Sequence, residues 1–149
     1  MSEHILIATD GSELSDRGLV KGLALAKALN ARVTVVTMTP AYPMPIDMRG
    51  IGGVPHPDAL AAYSDHQKAH ADDILNAARQ KALGAGVDIA TLHVPDAHVA
   101  DAILAAVHDK GATMVVMASH GRRGVGRLLL GSQTSEVLSH SKVPVLVVR

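Results

Sequence analysis

Residues 113–127 read TMVVMASHGRRGVGR, an unbroken apolar run that passes directly into glycines and arginines. An uninterrupted β-branched run of this length suits a strand buried on both faces of a parallel sheet. The glycine- and arginine-rich tail then falls at the strand's carboxyl end. Three similar runs stand elsewhere in the chain, at 4–9 (HILIAT), 32–38 (RVTVVTM) and 144–148 (PVLVV). A fifth, 87–94 (VDIATLHV), alternates more and is placed nearer a sheet edge.

Helical patterns separate the runs. Residues 15–29 carry Leu19, Leu23 and Ala26 on one face, with Asn30 as a stop. Residues 58–83 place Ala62, Ala69, Ile74 and Ala77 on one stripe and end at Gly84 and Gly86, which suit a C-cap. Residues 97–110 bring Val99, Ile103, Ala106 and Val107 together before Gly111, and 132–141 hold Val137 and Leu138. Strands alternating with helices predict right-handed crossovers and an open parallel α/β sheet covered on both faces. The segment 39–57, with five prolines and three glycines, is the irregular connection, expected to act as a flap or to order on ligand binding.

The chain has 149 residues and a mass of 15.5 kDa, enough for one domain spanning 1–149 with its own core. Fourteen basic and fourteen acidic residues cancel, which argues against a nucleic-acid binder working along a phosphate backbone. Phe and Trp are absent and Tyr42 and Tyr63 are the only aromatic residues, so bases cannot be stacked on ring platforms. The absence of cysteine excludes disulfides, thiolate metal sites and a Cys nucleophile. The N-terminus has no signal-peptide pattern and no run is long enough to span a membrane, so the expectation is a cytoplasmic protein without a membrane partner.

In a doubly wound sheet, ligands bind beyond the carboxyl ends of the strands. The residues there are Thr9-Asp10-Gly11-Ser12, Met38-Thr39-Pro40, Pro95–His98 and the loop beginning at Ser119. Gly131-Ser132-Gln133-Thr134 opens a helix whose first amides suit phosphate, with the hydroxyls of Ser132 and Thr134 beside them. Arg122, Arg123 and Arg127 concentrate positive charge nearby. The residues alone also allow a plain helix cap and a solvated loop. Neither a Walker loop nor the dinucleotide glycine pattern is present.

Taken together, Thr9-Asp10-Gly11-Ser12, the segment MASHGRRGVGRLLLGSQ at 117–133 and the closing Pro144-Val145-Leu146-Val147-Val148 resemble the universal stress proteins over essentially the whole chain. ATP-binding members of that family carry G-x2-G-x9-G-[ST]. The frame falls here on Ala118, Gly121, Gly131 and Ser132, with Ala118 replacing the first glycine. The resemblance implies a Rossmann-like, adenine nucleotide alpha hydrolase-like sheet of order 3-2-1-4-5. It implies ATP, with Mg²⁺ on its phosphates, as ligand, and a homodimer paired through residues 144–148. It also implies a stress-response switch, with at most slow ATP hydrolysis. By the same resemblance Asp10 approaches ribose or metal and the backbone of Met38 contacts adenine. Gly121, Gly131, Ser132 and Gln133 offer amides to the phosphates, with Arg122 as a further partner. Because the chain lacks Phe and Trp, the base must lie in an aliphatic slot near Ala8, Val36 and Met38, with Thr9 among the nucleotide-binding residues.

Competing readings are a nucleotide-free interaction module of the same family, favoured by Ala118, and another doubly wound domain. A phosphoreceiver would need an acidic pair where the chain has Asp10 alone, and a flavin site would need aromatics. His66 and His70, one helical turn apart with Asp73 beyond, form a weak metal pattern. Ser119 and His120 are adjacent at a strand end, which predicts side chains pointing apart and no nucleophile–base pair.

Overall fold

A computed structural model describes residues 2–44, 53–121 and 129–149. The elements alternate as β1 (His4–Ala8), α1 (Glu13–Leu29), β2 (Arg32–Met38), α2 (Pro57–Ala85), β3 (Ile89–Val94), α3 (Val99–Lys110), β4 (Met114–Ala118), α4 (Ser132–His140) and β5 (Val145–Val148). All four strand pairings are parallel and the order is β3-β2-β1-β4-β5, as expected for a doubly wound sheet. The alternating strand, β3, lies at one edge, and β5 at the other. Among the described residues no helix is long and apolar enough to cross a membrane.

Strand alternation divides the core in two. Ile5, Ile7, Val33 and Val35 face α1 and α2, meeting Leu19, Leu23, Leu75 and Ala78. Leu6, Ala8, Val36 and Val115 face the other way, meeting Ile103, Ala106 and Val137. Gly22 of α1 lets that helix approach the sheet, since a Cβ there would stand 2.6 Å from Ile7 Cδ1.

Helix ends follow local chemistry. Ser12 caps α1 by accepting the Ser15 amide proton, and Asn30 ends it in the left-handed region at φ 51°. Gly86 and Gly111 close α2 and α3 with positive φ, where a side chain would be strained.

Three expectations are corrected. Helix α2 begins at Pro57, which the irregular segment was expected to include, because proline suits a first helical turn. It also runs through Gly84, so Gly86 alone is its C-cap. Its buried stripe is Ala71, Leu75, Ala78 and Ala82, one residue round from the predicted one; Ala62, Ala69 and Ala77 are exposed. With alanines spread around the helix, the pattern is nearly degenerate in phase. Residues 45–52 of the connection lie outside the described residues.

At the amino ends of the strands His4 is buried. Its Nδ1 lies 3.1 Å from the Lys110 carbonyl and its Nε2 2.9 Å from Thr34 Oγ1. A carbonyl only accepts, so Nδ1 carries the proton and the Thr34 hydroxyl donates to Nε2. Burial, with Arg32 nearby, holds this imidazole's pKa below the usual histidine value.

Candidate functional site

The carboxyl ends of β1, β2 and β4 open into a cleft of about 980 Å³. It is lined by Asp10, Met38, Gly121 and the α4 start from Gly131 to Thr134. A smaller apolar slot of about 130 Å³ adjoins it, walled by Ala8, Thr9, Met38, Ile103, Met117 and Ala118. Asp10, Met38, His120, Gly121, Gln133 and Thr134 border both. Every expected site residue among the described ones therefore lines one of two adjoining spaces, except Val36, which is fully buried in the core beside the slot. Arg122 lies outside the described residues, as do Arg123 and Arg127.

Two of the helix starts at this end of the sheet, those of α1 and α4, differ in charge. At α1, Ser12 supplies a side-chain cap, and Glu13 and Asp16 lie in the first turn, answering the positive end of the helix. The turn before it satisfies itself: the Asp10 amide donates to Ser15 Oγ at 3.3 Å and the Ser12 amide to Asp10 Oδ1 at 2.9 Å. At α4 the cap is Gly131, no side chain caps the helix, and no acid lies in the first turn. Of the two, the α4 start is the one with positive potential left for an anion.

Its position is fixed by β4. The Gly131 amide donates to the Ser119 carbonyl at 2.7 Å, and the buried Thr134 hydroxyl donates to the Ala118 carbonyl at 3.0 Å. The Gly131 amide, expected to face phosphate, is thus already committed to the strand end. What Gly131 contributes is space. A Cβ there would lie 3.2 Å from both His120 Cα and the Ser119 carbonyl oxygen. Gly121 is similar, because its Cβ would come within 2.9 Å of Asp10 Oδ2.

Ala118 is accommodated without strain. It belongs to β4, is not among the positive-φ residues, and its methyl lines the apolar slot. A glycine there would leave the slot wider and no less polar.

Two side chains behave differently from expectation. Ser119 Oγ and His120 Nδ1 do meet, at 3.2 Å, because the chain bends out of the pleat after Ala118 and strand alternation no longer applies. Ser119 is buried, and its amide is held by the Val148 carbonyl at 2.8 Å, so the pair anchors the loop base. Gln133 uses its side chain to cap α3, its Oε1 accepting the Ala100 amide proton at 2.9 Å while Nε2 lies 3.2 Å from His98 Nε2.

The sequence places His98 among the strand-end residues 95–98 but assigns it no role. It is the α3 N-cap residue, and its Nδ1 lies 3.2 Å from Asp101. Its partners Gln133 and Glu136 come from α4, so no local spacing marks it. Among the described residues, potential metal ligands converge at His98, Asp101 and Glu136. The His66–His70–Asp73 pattern does not converge in that way. His66 and His70 line the cleft, and His70 also lines a neighbouring groove with Asp73, Asp16 and Lys81, which His66 does not reach.

Comparison with known proteins agrees with this geometry. The universal stress protein family model matches residues 1–149. Universal stress protein YxiE of Bacillus subtilis is 30% identical over 150 residues, covering 100% of both chains. Universal stress protein UspA from Lactobacillus plantarum superposes with a TM-score of 0.81 at 19% identity, over 99% of this chain and 97% of that one. A universal stress protein solved in complex with cAMP has a TM-score of 0.67 at 26% identity, over 99% and 96%. Another, from Archaeoglobus fulgidus in complex with dAMP, has 0.69 at 16%, over 100% and 98%. The chain belongs to the universal stress protein family.

Proposed function

We propose that this protein binds an adenine nucleotide, ATP above all, in the cleft at the carboxyl ends of β1, β2 and β4, and acts as a nucleotide-dependent stress-response switch. The observation that carries the reading is the pairing of a narrow apolar slot with a wide polar cleft at the uncapped start of α4. The slot's aliphatic walls suit a flat base read by backbone atoms, and the α4 start suits phosphate. The relatives solved with cAMP and dAMP share the adenine and phosphate chemistry that such a site would recognise.

In this reading Ala8, Met38 and Ala118 flank the base, and Gly121 leaves room for Asp10 beside it. The amides of Ser132, Gln133 and Thr134 and the hydroxyl of Ser132 meet phosphate. Asp10 supplies hard carboxylate oxygen of the type Mg²⁺ favours, so a metal travelling with ATP would be held there. The protein is a binder rather than a fast catalyst, with His120 the nearest group to a base.

The same reading includes a homodimer through β5. That strand is at the sheet edge, and Leu146 is 40% exposed on it. A bare apolar edge invites pairing with a second copy. A calorimetric titration with ATP, AMP and cAMP, with and without Mg²⁺, tests the nucleotide reading. Micromolar to millimolar binding and a nucleotide-dependent rise in Tm are expected. No heat and no shift with any of the three would refute it and favour an interaction module.

A further inference from the structure

Helix α2 is longer than the sheet it covers. Its 29 residues span about 43 Å, while the 7 residues of β2 span about 23 Å. Since α2 runs antiparallel to the strands, the excess projects past their carboxyl ends. Burial agrees: the first buried residue of α2 is Ala71. The preceding turns are an overhang standing beside the cleft.

The overhang is tied down. The Tyr63 hydroxyl lies 3.1 Å from the carbonyl oxygens of both Pro40 and Ala41, in the segment leaving β2. Its ring meets Tyr42 edge-on with centroids 5.1 Å apart. Both aromatic rings of the chain are therefore spent on holding this helix against the cleft rim. One turn further along, His66 and His70 line the cleft, opposite the α4 start.

These two histidines have no structural employment. Rings of His4, His56, His93, His98, His120 and His140 each make a hydrogen bond within the protein. His66, His70 and the exposed His108 of α3 make none among the described residues, and of these three only His66 and His70 line the cleft. The cleft holds a second unmet polar group, because the hydroxyl of Thr37 is fully buried without a hydrogen-bond partner and Thr37 borders this cleft. Thr37 shares the α2-facing side of β2 with Val33 and Val35. Two donor-capable rings and an orphan hydroxyl thus lie on the α2 side, away from the apolar slot that Ile103 of α3 helps to wall.

Resting on the nucleotide reading above, we propose that His66 and His70 bind the terminal phosphates of a nucleoside triphosphate, so that the α2 overhang selects by phosphate-chain length. A monophosphate engaged at α4 would not need them. A triphosphate leaving α4 crosses toward α2, where imidazole N–H groups can donate to its charged oxygens. Asp10, His98 and His120 also border the cleft, and the metal proposed at Asp10 would offset its negative charge there.

The test is calorimetric titration of ATP and AMP into the full chain, its H66A/H70A double variant and Y63F. Both histidines are surface-accessible, so Tm should be unchanged in the double variant. ATP affinity should fall at least about tenfold while AMP affinity stays within about twofold, the loss expected for removing hydrogen bonds to charged oxygens. Y63F, which keeps the ring but frees the overhang from the Pro40 and Ala41 carbonyls, should weaken ATP in the same selective way. Equal loss for AMP and ATP, or no loss for either, overturns the assignment while leaving nucleotide binding standing. Failure of wild-type protein to bind either nucleotide overturns both.

Discussion

Replacement of Gly131 separates room from hydrogen bonding at the start of α4. The residue has φ −59° and ψ 151°, an ordinary conformation, so a side chain brings no backbone strain. Its cost is contact: three atoms lie 3.2, 3.2 and 3.3 Å from the Cβ position, two of them backbone. Neither backbone neighbour can rotate away, since the Ser119 carbonyl accepts the Gly131 amide and the Ser119 amide is held by Val148. The start of α4 must therefore retreat by a few tenths of an ångström for Gly131→Ala, and further for Gly131→Val. Overpacking of this size costs about 1–3 kcal/mol. The loss of unfolded-state freedom returns about 0.4–1 kcal/mol. The net for alanine is about 0–2.6 kcal/mol, and at about 3 °C per kcal/mol for a chain of this size Tm falls by no more than about 8 °C. Hydrogen bonds from the first amides to a charged ligand are more sensitive to such a shift, since each contributes about 1.5–3 kcal/mol. ATP affinity should drop about tenfold or more for alanine and further for valine, read by calorimetry alongside thermal melts. A valine variant with wild-type affinity would refute the reasoning, because the phosphates would then lie away from α4.

The pH dependence of stability has a definite sign at His4. Its folded-state pKa lies below the unfolded one, so the unfolded chain binds more protons and stability falls as pH drops through the unfolded value, about 6.5, toward the folded one. Denaturant melts of wild type between pH 8 and about 5 should show this loss, and His4→Gln should flatten it; identical slopes would exclude His4 as the source. Thr134→Val removes the hydroxyl that ties α4 to the Ala118 carbonyl, and should lower stability by about 1–2 kcal/mol in urea unfolding, with no change indicating that this bond carries nothing. Leu146→Asp on the exposed face of β5 should convert the proposed homodimer to a monomer in sedimentation experiments, and a monomeric wild type or an unchanged mass would overturn the β5 interface.

Four of the strands were readable as uninterrupted apolar runs and β3 by its alternation, and β2 even kept its predicted bounds. Much of the cleft's lining was readable for a related reason, since parallel topology brings strand ends to one edge. The phase of α2 was not. Ala62 and Ala69 look like core positions by spacing, but they sit on or beside the overhang, where there is no sheet to pack against. The bond between the Gly131 amide and the Ser119 carbonyl was equally invisible, because a glycine-rich loop advertises free amides whether or not a distant carbonyl takes them. The role of His98 was hidden because two of its partners, Gln133 and Glu136, come from another helix. Strand alternation ends at Ala118, so it does not separate Ser119 and His120, which lie one and two residues past that end.

The pairing of Tyr42 with Tyr63 gives the molecule an unusual optical character. With no tryptophan in the chain, these two phenols are its whole near-ultraviolet chromophore, and they sit together at the rim of the cleft. Emission from the native protein therefore reports on one place, without a label and without background from the core. The protein is also nearly transparent where most proteins absorb, so any purine carried through purification would dominate its spectrum. A simple absorbance scan of the freshly purified chain would reveal a co-purified base before any titration is begun.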